Sequence, residues 1–229
     1  PLPHLRRLLR EGQDLAFALD LPGVGRQRVA VLQHHNGCDL LLRPIPARVS
    51  PLEDLGLPAT VQQLALLRSG LLLCAGPMGS GKSTTLAALC EHMTQRRALR
   101  VLTIEDPIEL RLQAGAGRGL VLQRQVGLHT PSCARALQIA QRDDFDVILV
   151  GAVPDAQSLR LVLDLAMDGR LVLAGVCAGG ARQALELLLN LTQSSQRAAQ
   201  RAALSQALSG VIAQRLVRRA EGRGRVLAT

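Results

Sequence analysis

Eight consecutive residues, Gly76-Pro77-Met78-Gly79-Ser80-Gly81-Lys82-Ser83, fit the spacing G-x-x-x-x-G-K-[ST], and Thr84 extends them. The chemistry this spacing serves is the holding of phosphate. Glycines let the backbone turn tightly and aim successive N–H groups at phosphate oxygens. A helix starting at Lys82 would add the positive end of its dipole, which makes the segment an anion site. The Lys82 ammonium suits β- and γ-phosphates, and the Ser83 hydroxyl suits a Mg²⁺ ion on the same phosphates. The implied ligand is a nucleoside triphosphate. The plainer alternative is a chance glycine-rich turn. Against it, the chain has 27 basic residues and Lys82 is its only lysine; arginine does not easily take the place of lysine in this role.

Such a loop works only between a strand and a helix, and the flanking sequence supplies both. Apolar runs at 71–75, 100–104, 145–150 and 171–176 read as strands. Helical patterns lie at 82–94, 131–142, 156–167 and 181–190. Strand–helix alternation at this spacing predicts a parallel sheet covered by helices. Residues 196–216 continue the apolar periodicity as one further helix or a pair. Upstream, residues 14–46 read as short strands and turns, with a Pro22-Gly23 turn and an Asn36-Gly37 hairpin signal. Pro44, Pro46 and Pro51 mark a linker. The expected division is a small unit over 1–46, a linker over 47–51 and a larger unit over 52–229.

Composition narrows the classes. The chain is 48% hydrophobic with mean hydropathy +0.18, enough to bury a core. No apolar run approaches the roughly 20 residues of a spanning helix. There is no signal-peptide pattern, and the chain opens on Pro1 without a methionine, as a fragment would. Five scattered cysteines, with no C-x-x-C pair, argue against a disulfide framework or a zinc site and suit a reducing compartment. The net charge of +9 invites nucleic acid. The basic residues are dispersed, however, and there is no Trp, no Tyr and only two Phe to stack on bases. A solvated arginine-rich surface is the expected reading, and nucleic acid is not an expected partner.

Three segments together resemble the secretion-ATPase superfamily of type II secretion and type IV pili. They are residues 70–85, Leu102-Thr103-Ile104-Glu105-Asp106-Pro107-Ile108-Glu109, and Asp146-Val147-Ile148-Leu149-Val150-Gly151. Leu21-Pro22-Gly23-Val24, Arg28-Val29 and Arg43-Pro44-Ile45-Pro46 look most like the pilus retraction (PilT-like) ATPases of twitching motility. Gln123-Arg124, Thr130, Ala136-Leu137 and residues 204–216 agree. The resemblance covers residues 14 to about 226. It implies an α/β fold: a small PAS-like α+β domain followed by a RecA-like P-loop ATPase domain. It also implies ATP and Mg²⁺ as ligands and a hexameric ring, of one chain or mixed with a homologue. The ring's place would be the cytoplasmic base of a pilus or secretion machine, peripheral to an inner-membrane platform protein. By the same resemblance, Glu105 matches the glutamate that orients or deprotonates the attacking water; its plainer alternative is a solvated acid before a proline turn. Arg28 and Arg43 match arginines that approach nucleotide bound by a neighbouring subunit; their alternative is ordinary surface charge.

The family pattern also breaks. Its second acidic motif ends in Gly-Glu, followed two residues on by Arg. Here Gly151 precedes Ala152, and Pro154 holds the arginine's place. Arg170 and Cys177 stand where histidines are expected, and Gln125 replaces a usual glutamate. Alanine can neither anchor the water shell of Mg²⁺ nor polarise a nucleophile. The expectation is a nucleotide-binding protein with slow or absent hydrolysis and an accessory or regulatory role. Two alternatives stay open: an active retraction motor served by Glu105, and a non-enzymatic assembly module or decayed paralogue.

Overall fold

The computed structural model describes residues 11–12, 14–115, 119–218 and 225–228. Residues 1–10 of the expected first unit, and 219–224 and 229 of the second, lie outside these.

The first strands form a three-stranded antiparallel sheet in the order β1 (Leu15–Leu21), β2 (Gly25–His34), β3 (Gly37–Pro44). Gly23 and Gly25 take the left-handed φ values of +73° and +91° that reverse the chain between β1 and β2. The second reversal falls at the Asn36-Gly37 signal, with His34 paired to Gly37. Alternation puts Leu15, Val29 and Val31 on one face, where Phe17 joins them in a small apolar cluster.

The larger unit is built on six parallel strands in the order β6-β5-β7-β8-β4-β9. These are β4 (Gly70–Gly76), β5 (Arg100–Glu105), β6 (Leu120–Gln125), β7 (Val147–Val150), β8 (Leu171–Cys177) and β9 (Leu208–Ala213). Two-residue alternation sorts the strands' side chains into two layers. Leu72, Cys74, Val101, Leu149 and Leu173 pack with Leu86, Leu89 and Met93 of α2 (Lys82–Arg96) and Val61 of α1 (Ala59–Leu64). On the other face, Leu73, Ile104, Ile148, Val150 and Ala174 meet four helices. These are α3 (Cys133–Ala140), α4 (Ala156–Met167), α5 (Ala181–Asn190) and α6 (Arg197–Ala207). The central strands are covered on both sides, which is why they read as continuous apolar runs.

The four expected strands and four expected helices are present, with ends shifted by a few residues. The helix expected over 196–216 is corrected. It stops at Ala207, after which the chain runs as β9 beside β4 and then as a hairpin of β10 (Arg215–Arg218) with β11 (Arg225–Ala228). Leu208-Ser209-Gly210-Val211-Ile212-Ala213 is apolar enough to continue a helical stripe. Its β-branched pair favours a strand, and a short apolar run cannot be told from a helical segment by periodicity. Gly210 marks the fit, since a Cβ there would lie 3.2–3.3 Å from Leu72 and Leu64 side chains.

In a parallel sheet of this kind the chain leaves the carboxyl ends of its strands along one edge. Gly76, Glu105, Gly151 and Cys177 all fall at that edge, at or just past the ends of β4, β5, β7 and β8.

Candidate functional site

The residues expected to hold phosphate leave β4 at Gly76 and enter α2 at Lys82. Gly79 and Gly81 take φ values of +74° and +91°, and Gly81 is the N-cap residue of α2. Gly76 is required for another reason. A Cβ there would sit 2.3 Å from Ser80 Oγ and 2.5 Å from the Gln214 carbonyl oxygen. Lys82 folds over the loop, its Nζ donating at 2.9 Å to the carbonyls of both Gly76 and Pro77. Pro77, Met78 and Gly79 form the exposed lip of the loop, whereas Ser80 is buried. Thr84 follows in the first turn of the helix, and Thr85 behind it is fully buried.

One residue beneath the loop escaped the sequence reading. Gln214, between β9 and β10, donates from Nε2 to the Ser80 carbonyl at 2.8 Å and accepts at Oε1 from Cys74 Sγ at 3.4 Å. Burial pushes the Cys74 thiol up to about 12. Gln214 lies inside the segment that resembled the pilus ATPases, but a segment read as helix gave no reason to place it under the loop.

Ser83 is exposed at the head of α2 and faces a cleft of about 330 Å³. Glu105, Asp106, Glu109, Arg28 and Ala152 line the same cleft. Glu105 is no solvated acid: Thr103 Oγ1 donates to its Oε1 at 2.6 Å and Gln123 Nε2 at 3.0 Å. Burial raises its pKa above the ordinary value, and these two donors oppose the rise. Glu109 adds a smaller upward push and Arg26 a smaller downward pull. A carboxyl moved toward neutrality is a better proton acceptor near physiological pH than one at its ordinary value. Gln123 belongs to β6, a strand the sequence reading left unassigned because its residues alternate on a half-exposed edge.

Arg28 and Arg43 are cross-strand partners on β2 and β3. Both engage the Glu109 carboxylate of their own chain, Arg43 at 3.4 Å. Arg26 donates to the Glu109 and Ile108 carbonyls at 2.7 and 2.9 Å. The small sheet is thus fastened to the segment that follows Glu105. Arg28 reaches the cleft; Arg43 is more exposed and is not among its lining residues. Ala152 is exposed on the cleft wall beyond β7. The nearby carboxylate of Asp155 is committed to Ser158 N at 2.7 Å, capping α4. Cys177 is exposed at the end of β8, paired with Gly76. Gln125 accepts from Ile108 N at 3.3 Å, which again secures the segment after Glu105.

A Mg²⁺ ion fits this arrangement through oxygen donors: the Ser83 hydroxyl stands free of burial at the loop's helix end. Among the described residues there is no group of three or more His, Cys, Asp or Glu that could hold a metal ion. No helix of the described residues is long and apolar enough to cross a membrane.

Comparison with known proteins agrees with this geometry. The chain is 37% identical over 223 residues to a twitching motility protein of Neisseria gonorrhoeae, covering 97% of this chain and 59% of the relative. It is 35% identical to the type IV pilus retraction ATPase PilT of Pseudomonas aeruginosa, with 97% and 64% coverage. It therefore spans roughly three fifths of these relatives' length. The solved structure of the pilus retraction motor PilT with bound ADP superposes with a TM-score of 0.88 at 36% identity, covering 97% of this chain and 64% of that one. The ATPase DotB of Legionella pneumophila superposes with a TM-score of 0.89 at 25% identity, covering 98% and 63%. The small antiparallel sheet and the helix-flanked parallel sheet are thus the architecture of a RecA-like ATPase with its N-terminal companion. Residues 10–226 match the family model described as type II/IV secretion system protein, and the chain belongs to that family.

Proposed function

We propose that this chain binds ATP with Mg²⁺ and hydrolyses it slowly or not at all, as an accessory or regulatory subunit of a type IV pilus or secretion motor. The observation that carries the reading is one cleft at the sheet's carboxyl edge. There Ser83, at the head of the loop's helix, shares a wall with the half-buried Glu105, while Ala152 lies just beyond the end of β7. In this reading the loop N–H groups and Lys82 hold the phosphates, and Ser83 ligates the metal. Mg²⁺ supplies charge neutralisation on the phosphate oxygens. Glu105 orients water, and Arg28 lies near enough to the cleft to respond to added negative charge. Alanine at position 152 offers no carboxylate, and the Cys177 thiol is a weak hydrogen-bond donor. Relatives named for twitching motility and pilus retraction support assembly into a ring, with copies of itself or a homologue, on the cytoplasmic side of a membrane platform.

A titration with a fluorescent ATP analogue and Mg²⁺, paired with a steady-state ATPase assay, tests this. Lys82→Ala is expected to weaken binding at least about tenfold, the loss of a charge-assisted contact to phosphate. Turnover by the unaltered chain is expected to be at least about a hundredfold below that of a relative with the acidic motif intact. Equal affinity of the wild type and Lys82→Ala would refute the binding site. Turnover at ordinary motor rates, abolished by Glu105→Gln, would instead establish an active motor.

A further inference from the structure

We propose that Gln214 is a positioning residue of the phosphate loop, locking the peptide between Ser80 and Gly81 in its anion-binding orientation. The inference rests on reading that loop as the phosphate site. Gln214 is 2% exposed and lies outside every helix and strand, in the one-residue step from β9 to β10. Its backbone N–H donates to the Ala75 carbonyl at 2.8 Å, extending the β9 pairing to the last turn before the loop. Its side-chain amide then does two things at once, donating to the Ser80 oxygen and accepting from Cys74 on β4.

The consequence follows from peptide geometry. A trans peptide is planar, so its C=O and N–H point to opposite sides. Drawing the Ser80 oxygen down onto a buried amide therefore turns the Gly81 N–H up, away from the core. The loop cannot secure this alone. Gly79 and Gly81 lack a Cβ, and glycines rotate their adjoining peptides at little steric cost. With that peptide reversed, a carbonyl oxygen would face the phosphate in place of a donor, which converts attraction into repulsion. Glutamine suits the position because one group supplies both a donor and an acceptor. Burial makes both bonds obligatory, since an unpaired amide inside the protein is costly. The contact is close: a Cβ on Gly81 would lie 3.2 Å from Gln214 Nε2.

Two variants test this against a fluorescent ATP analogue with Mg²⁺, with thermal unfolding recorded alongside. Gln214→Met keeps the size but cannot donate, and its dissociation constant is expected to rise about tenfold with the melting temperature held within a few degrees. Gln214→Glu can donate to the Ser80 oxygen only when protonated. Relative to wild type at the same pH, it should bind weakly at pH 8 and recover at pH 5.5. That recovery is internal to one protein, so it decides the matter even where Gln214→Met fails to fold. Unchanged affinity in Gln214→Met, or a loss in Gln214→Glu that pH does not move, overturns the proposal. A wild-type chain that binds no nucleotide refutes the loop reading itself, and this inference with it.

Discussion

Glu105 is acted on in opposite directions, by burial that disfavours its charge and by Thr103 and Gln123 that favour it, and burial prevails. The unfolded chain titrates near the ordinary value of 4.5, and the folded one above it. The folded state therefore holds this proton more tightly. Its contribution to stability is greatest below 4.5 and declines as pH rises through the folded value. Glu105→Gln removes that decline while keeping an oxygen for both donors. The variant should melt higher than wild type at pH 7.5, and the gap should close toward pH 4. A gap that does not vary with pH would show that Glu105 is ionised at no cost. Its neighbours set the second residue-scale test. Ala152 and Cys177 are both exposed, so larger side chains can be accommodated there without overpacking. Ala152→Glu should raise ATP turnover only partly, and Ala152→Glu with Cys177→His more than either alone, because such groups act as a unit. Absent gains, or a double variant no faster than the better single one in single-turnover assays, would argue that the proposed slow hydrolysis does not come from a missing carboxylate and imidazole.

Elements aim these residues, and some are tightly specified. The helix α4 begins where Asp155 accepts from Ser158 N, next to the cleft wall formed by Ala152 and Pro154. Asp155→Ala should cost about 1 kcal/mol in urea denaturation, the usual loss for a helix cap. An unchanged midpoint would mean that packing of Leu159, Val162 and Leu163 alone sets the helix start. At this scale legibility was uneven. The central strands announced themselves by continuous apolar runs because both faces are covered. β6 did not, because it is an edge strand in which Leu120 and Leu122 are exposed and three polar residues, Gln123 to Gln125, follow in a row. β9 was misread as helix, since a short, mostly apolar edge strand bears too little period of its own, and that concealed the route by which Gln214 reaches the loop.

In the whole molecule, the small sheet is held to the larger unit by arginines. Arg26 is largely buried and bonds main-chain carbonyls, while Arg28 and Arg43 converge on the Glu109 carboxylate. The connecting segment has mixed character: Arg48 is exposed, whereas Val49 is buried in the core of the larger unit beside Leu52. Limited trypsin digestion should cut first at Arg48, leaving the two units as stable fragments. Glu109→Gln should speed that cut only about twofold to fivefold, since partly exposed ion pairs contribute under about 1 kcal/mol. Arg26→Ala should speed it more, as it strands two carbonyls. Preferential cleavage within α2 or β4 would contradict this boundary.

The glycine-rich loop with its single lysine, the alternation of strands and helices, and the family resemblance were determined by the sequence alone. Each rests on local spacing: glycines that free the backbone, a lysine at the helix start, apolar runs bounded by turns. Tertiary structure decided what lies far apart in the chain. It placed Gln214 under Ser80, 134 residues away, and Gln123 beside Glu105. It also gave Arg28 and Arg43 one shared carboxylate in place of two independent surface charges. Hydrogen bonds of that kind depend on which strands become neighbours in the sheet. Strand order is set by the packing of both faces at once, and no local window of residues contains it.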